Sequence, residues 1–215
     1  MLALDLIELN DKLSRLLWST AHSCTVPKAT SPRIVFPVLR DGQTRIREQE
    51  ARVLFCGLLN STAYYYAVEA PTTQTYSQSG DSELSARTDL AMYTTSATSL
   101  NRAVNVEFKA KNPAQKDFTK DVEKLIREAL LGNWFHLLEN TNRGTLPSIS
   151  NKFVEAFIAN QQHVTHDIEI VFTVCILQTK RAFTKQMLYS HGTSDFVTFI
   201  QSFFANIDKW DPLAE

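Results

Sequence analysis

The chain has 215 residues, 44% of them hydrophobic, enough to bury a core of its own, so a single globular domain over residues 1–215 is expected and a disordered or repeat-built chain is not. A net charge of −1 excludes a protein that coats nucleic acid over its whole surface, since such binding rests on many Lys and Arg contacts to phosphate. Asp5, Glu8 and Asp11 interrupt the first residues, and Thr173 interrupts the longest apolar run, Ile170 to Leu177, so neither a signal peptide nor a membrane span fits and a cytoplasmic location is expected. Cys24, Cys56 and Cys175 are odd in number and far apart, which fits core thiols rather than a zinc site or a disulfide framework.

In chain order, Leu2, Leu6, Leu9, Leu13 and Leu16 recur at helical spacing and predict an amphipathic helix over residues 2–18, within an N-terminal segment of 1–20. Its leucine face could be covered by the domain itself or by a second copy, giving a homodimer through this helix. Pro27, Pro32 and Pro37 predict an irregular connection with a short strand near Ile34 to Leu39. A helix is expected from about Thr44 to Leu59. Then the period changes to that of strands over Tyr64 to Ala70, Leu84 to Tyr93 and Ala103 to Lys109. A helix over Gln115 to Leu131, ended by Gly132, should bury Phe118, Val122, Leu125, Ile126 and Ala129. Trp134 to Leu138 reads as a short buried strand, Ser148 or Ser150 to Ala159 as a helix, Ile168 to Leu177 as a strand, and Phe196 to Ile207 as a terminal helix. The fold class is therefore α/β, a mixed central sheet flanked by helices.

Chemistry concentrates on two of the strands. Side chains alternate along a strand, so Asn105, Glu107 and Lys109 share one face while Val104, Val106 and Phe108 share the other. In the preceding strand Arg87, Asp89 and Tyr93 lie opposite the Leu84, Thr88, Leu90 and Met92 face. A hairpin loop centred near Thr98 makes paired residue numbers sum to 196 and sets Asp89 opposite Glu107. Like charges facing each other across a sheet repel. A divalent cation between them turns that repulsion into attraction, because hard cations are held by oxygen. The lysine beside them can orient an attacking water and offset charge building on a phosphate oxygen.

Thr88-Asp89, followed after eighteen residues by Glu107-Phe108-Lys109, resembles the PD-(D/E)XK motif of the restriction-endonuclease-like nucleases, with Thr88 in place of the proline. The element order around it, over residues 46–138, is similar to that family's αβββαβ core, here with an N-terminal helix and a C-terminal αβα extension. The resemblance implies a magnesium-dependent deoxyribonuclease, with manganese able to substitute, acting on DNA through Asp89, Glu107, Lys109 and the backbone carbonyl of Phe108. It also implies a glutamate on the preceding helix as a further ligand, and Glu50, four residues after Ile46 and three before Val53, is the candidate while Glu48 points outward.

Between Arg102 and Arg127 seven basic residues face four acidic ones. Lys116, Lys120, Lys124 and Arg127 form a helical basic stripe that, with Lys111, could hold a phosphate backbone. The plainer meaning of that stripe is an exposed face paired with Asp117, Asp121, Glu123 and Glu128. Glu69 reads as a strand-end surface carboxylate and His136 as a satisfied core histidine. Two further readings compete with the enzyme: a binding or assembly protein that keeps the nuclease fold without turnover, and a nuclease subunit that needs a partner chain.

Overall fold

The computed structural model describes residues 2–22, 34–37, 40, 47–77, 83–142, 144–190, 197–198, 200–201, 204 and 211–212. Its elements are α1 (Leu2–His22), α2 (Glu48–Leu59), β1 (Tyr65–Ser77), β2 (Glu83–Thr95), β3 (Leu100–Ala110), α3 (Gln115–Arg127), β4 (Leu131–Leu138), α4 (Thr145–Ala159), β5 (Ile168–Ile176), β6 (Arg181–Tyr189) and the two-residue β7 (Asp211–Pro212). The strands form one mixed sheet in the order β1-β2-β3-β4-β5-β6-β7. β1, β2 and β3 make an antiparallel meander, β3, β4 and β5 run parallel, and β6 returns antiparallel. The chain is thus α/β, with helices on both faces of the sheet.

Two apolar clusters explain the layering. On one face Leu6, Leu9, Leu13 and Leu17 of α1 and Ala51, Leu54, Phe55 and Leu59 of α2 pack on Leu90, Met92, Val104, Val106 and Phe108. On the other face Phe118, Val122, Leu125 and Ile126 of α3 meet Phe153 and Phe157 of α4 over Trp134 and Phe172. Val104 through Phe108 are buried at every position, as expected of a strand covered on both sides.

The leucine face of α1 packs on the chain's own sheet, one of the two coverings its spacing allows. Polar contacts fix it there: in the interior Asn10 Nδ2 donates to Asn133 Oδ1 at 2.7 Å and to Thr173 Oγ1 at 2.8 Å, and at the surface Thr184 Oγ1 donates to Asp11 Oδ1 at 3.0 Å. Among the described residues no helix is long and apolar enough to cross a membrane.

Several boundaries move. β1 runs on to Ser77 through Pro71, tolerated because β1 is the sheet's edge, and its register shifts between Pro71 and Thr75. Glu128, buried just past α3, holds that irregular stretch by accepting hydrogen bonds from the Thr73 and Gln74 N–H groups and the Thr73 hydroxyl. Helix α3 ends at Arg127, not Leu131, and Ala129 rather than Gly132 takes the left-handed conformation, φ +56°. Gly132 belongs to β4, where an added Cβ would stand 3.1 Å from Ile170 Cγ1; close packing is what requires the glycine. Helix α4 starts earlier than expected, at Thr145. Strand β6, which the sequence did not predict, buries Ala182 on one face of the sheet and Met187 and Tyr189 on the other, with Lys185, Gln186 and Leu188 exposed. Residues 34–37 are not a strand, and most of the expected terminal helix lies outside the described residues, although Ile200 and Phe204 are helical and buried.

Candidate active site on the β2 and β3 strands

Strand parity brings the motif residues to one face. Leu90 pairs with Val106, Ala91 with Asn105 and Met92 with Val104, each pair summing to 196, before a bulge shifts the register at Tyr93 and Arg102. Ladder pairing stops at Leu90 and Val106, one step short of Asp89 and Glu107. There Asp89 turns its side chain into the gap, its Oδ2 accepting a hydrogen bond from the Phe108 N–H at 2.8 Å. The Phe108 ring lies in the opposite layer, edge-on to Phe55.

Glu107 is fully buried. Its Oε1 sits 2.7 Å from Lys124 Nζ as an ion pair, and its Oε2 has no hydrogen-bond partner. Burial and the neighbouring Asp121 and Asp89 carboxylates together raise the Glu107 carboxyl well above its ordinary range, against the lowering effect of Lys124. Burial raises Asp89 as well, which the Phe108 N–H and Lys109 only partly offset.

The helical carboxylate is Glu48, not Glu50. Glu50 accepts a hydrogen bond from the Arg47 N–H at 2.9 Å, closing the first turn of α2. Glu48 Oε1 accepts from the Ala110 N–H at 3.2 Å and feels Lys109, Asp89 and Asp121, with burial raising its carboxyl overall. The inner face of α2 is Ala51, Leu54 and Phe55, while Val53 is 42% exposed, so the position three residues before Ala51 points inward. Glu69 lies apart, paired with Arg52.

Helix α3 delivers two groups that the sequence reading placed on an outer surface. Lys124, assigned to the basic stripe, is buried, with its ammonium also 2.7 Å from Asp121 Oδ1 and 2.9 Å from the Arg87 carbonyl oxygen. Asp121 uses its other oxygen on Lys109. Burial alone would raise Asp121 and lower both lysines, but mutual attraction reverses each shift: Asp121 is lowered and Lys109 and Lys124 are raised. The spacing of Asp121, Lys124 and Glu128, three and then four, marks a polar helical face beside the apolar one, and is the signal that could have found them.

Of the remaining stripe, Lys116 and Lys120 are exposed, while Arg127 pairs with Glu123 at 2.9 Å and lies 4.5 Å from the Tyr76 ring centroid. Lys111 is exposed where two clefts meet at the carboxyl ends of β3 and β4. One cleft, about 340 Å³, is lined by Arg47, Glu48 and Ala110; the other, about 270 Å³, by Asn112, Glu139 and Thr145. Lys111 is held at φ +64°, its N–H donating to the Leu137 carbonyl at 2.9 Å and its carbonyl receiving His136 Nε2 at 2.6 Å. Burial keeps His136 neutral, its pKa lowered to about 4, and its Nδ1 is a buried atom without a partner.

Four carboxylates, Glu48, Asp89, Glu107 and Asp121, thus surround two ammoniums, leaving the cluster about two charges negative when all are ionised. Among the described residues no three His, Cys, Asp or Glu side chains are grouped tightly enough to hold a metal ion as they stand, since lysines lie between the acids. The donor set nevertheless suits a hard divalent cation: it is all oxygen, in charge excess, and includes one buried carboxylate oxygen with nothing bound to it. No family model matches the chain, and no curated protein and no solved structure is found similar to it.

Proposed function

We propose that this chain is a metal-dependent deoxyribonuclease of the PD-(D/E)XK type, hydrolysing phosphodiester bonds of DNA with magnesium or manganese. The observation that carries this reading is the unpartnered Oε2 of buried Glu107 beside Asp89, with Lys109 on the same strand face. The order α2-β1-β2-β3-α3-β4 around it is similar to an αβββαβ core and supports the reading.

Asp89, Glu107 and Glu48 would hold the cation. When bound, it supplies Lewis-acid stabilisation of charge on the phosphate oxygens. Asp121 keeps Lys109 charged, so Lys109 serves as a fixed hydrogen-bond donor to the attacking water and the phosphate rather than as a general base. Lys111 would meet the DNA backbone along the clefts at the carboxyl ends of β3 and β4, where α/β sheets commonly place ligands, and exposed Lys116 and Lys120 of α3 would add phosphate contacts outside them.

The test is plasmid conversion in magnesium or manganese, stopped by a chelator. Asp89→Asn, Glu107→Gln and Lys109→Met should each lower the rate by on the order of a hundredfold or more, and a variant cutting at wild-type rate removes its residue from the role. A second reading, a binding protein of the same fold without turnover, is favoured by Lys124 lying against Glu107, since a closed ion-pair cluster can serve the fold alone. That reading requires that no magnesium heat be measurable by calorimetry and that no substrate be cut.

A further inference from the structure

Lys124 has a place in this site that neither motif nor spacing assigns. Three oxygens surround its ammonium: Glu107 Oε1 at 2.7 Å, Asp121 Oδ1 at 2.7 Å and the Arg87 carbonyl at 2.9 Å. The side chain is 4% exposed and the Glu107 side chain is fully buried, so without this cation Glu107 would be an uncompensated interior charge. We propose that Lys124 is a positioning residue that holds the Glu107 carboxylate in the metal-free protein and gives it up to a divalent cation; this rests on the metal-dependent reading above.

Three features make the exchange feasible. Lys124 keeps two of its three oxygens, on Asp121 and Arg87, after leaving Glu107, so its ammonium is not stranded. Asp121 is shared, with one oxygen on each lysine, so a shift of Lys124 toward Asp121 leaves Lys109 in place. Once all four carboxylates are ionised they exceed the two lysines by the charge of one divalent ion, so the cation, which also displaces any proton held by Glu107, can enter without expelling either lysine from the cluster. Glu107 Oε2, which has no hydrogen-bond partner, is the oxygen free to take the cation first.

Calorimetric titration of the full chain with Mg²⁺ compares wild type, Lys124→Met and Lys109→Met. Displacement predicts that Lys124→Met binds Mg²⁺ tighter by on the order of tenfold or more, because nothing competes for Glu107. Lys109→Met removes an equal charge from the same cluster but breaks no ion pair to Glu107, so it acts only through the longer-range field and should raise affinity by less than Lys124→Met does. Equal gains in the two variants, or none in Lys124→Met, overturn the proposal while leaving the metal site intact. Absence of binding in all three removes the metal site and the proposal together. Because Lys124→Met could fail to fold, the wild-type ammonium resonance of Lys124 is followed in ¹⁵N-lysine-labelled protein. It should shift as Mg²⁺ saturates the site, and a resonance unchanged at saturation overturns the displacement.

Discussion

The Asp89 carboxylate accepts its hydrogen bond from the backbone N–H of Phe108, the middle residue of the Glu-x-Lys triplet, where the β2 and β3 ladder has already ended. One side chain therefore completes the sheet and faces the candidate cation site. These two duties separate by substitution. Asp89→Ala leaves the Phe108 N–H without an acceptor and should cost about 1–3 kcal/mol in urea unfolding. Asp89→Asn keeps an acceptor and should cost clearly less, yet lose Mg²⁺ binding just as fully. Equal destabilisation by both would show that the charge, not the hydrogen bond, is what β3 needs.

Metal-free stability should depend on pH through Glu107. Its folded carboxyl is raised well above its ordinary 4.5, so the folded state holds the proton more tightly than the unfolded chain. The resulting stabilisation is complete below 4.5 and is lost as pH rises through the raised folded value. His136 acts oppositely, its folded pKa of about 4 lying below the ordinary 6.5, so stability is lost as pH falls between those values. Comparing wild type with Glu107→Gln isolates the first effect: the variant should gain on wild type as pH rises from 4.5. A difference that stays flat would mean that Glu107 is ionised throughout.

Lys111 tests strain against charge. A side chain at φ +64° costs about 1–2 kcal/mol that glycine avoids. Lys111→Gly should therefore unfold at a higher urea midpoint than wild type and Lys111→Ala should not, while both weaken binding to a DNA oligonucleotide in chelator and flatten its salt dependence. Undiminished binding in both variants would place the DNA path elsewhere.

Asn10 tests the anchoring of α1. Asn10→Ala leaves the Asn133 carbonyl oxygen without its Asn10 donor in the interior and should cost about 1–3 kcal/mol. Removing those bonds should also make α1 exchange its amide hydrogens faster than α4 does. Unchanged protection of α1 would show that its leucines alone hold it.

What the sequence determined by itself follows from local periodicity. Alternation along Ala103 to Lys109 and Leu84 to Tyr93 puts Glu107 and Lys109 on one face and Asp89 on the polar face of its own strand. The loop itself sets pairs that sum to 195, and only the bulge between Met92 and Tyr93, which periodicity does not reveal, brings the sum to 196. The apolar spacing of Phe118, Val122, Leu125 and Ile126 orients α3 correctly. Tertiary structure decided the rest, because it depends on which surface another element covers. Small Ala51 in place of exposed Val53 sets the inner face of α2 and so selects Glu48 over Glu50. Strand β6 lacks a regular alternation, since adjacent Lys185 and Gln186 are both exposed and Leu188 faces solvent, so it does not stand out in the sequence. Charge on a helix reads as solvated until a buried partner is known; Lys124 became an interior cation only when folding brought Glu107, seventeen residues earlier on a neighbouring strand, to within 2.7 Å.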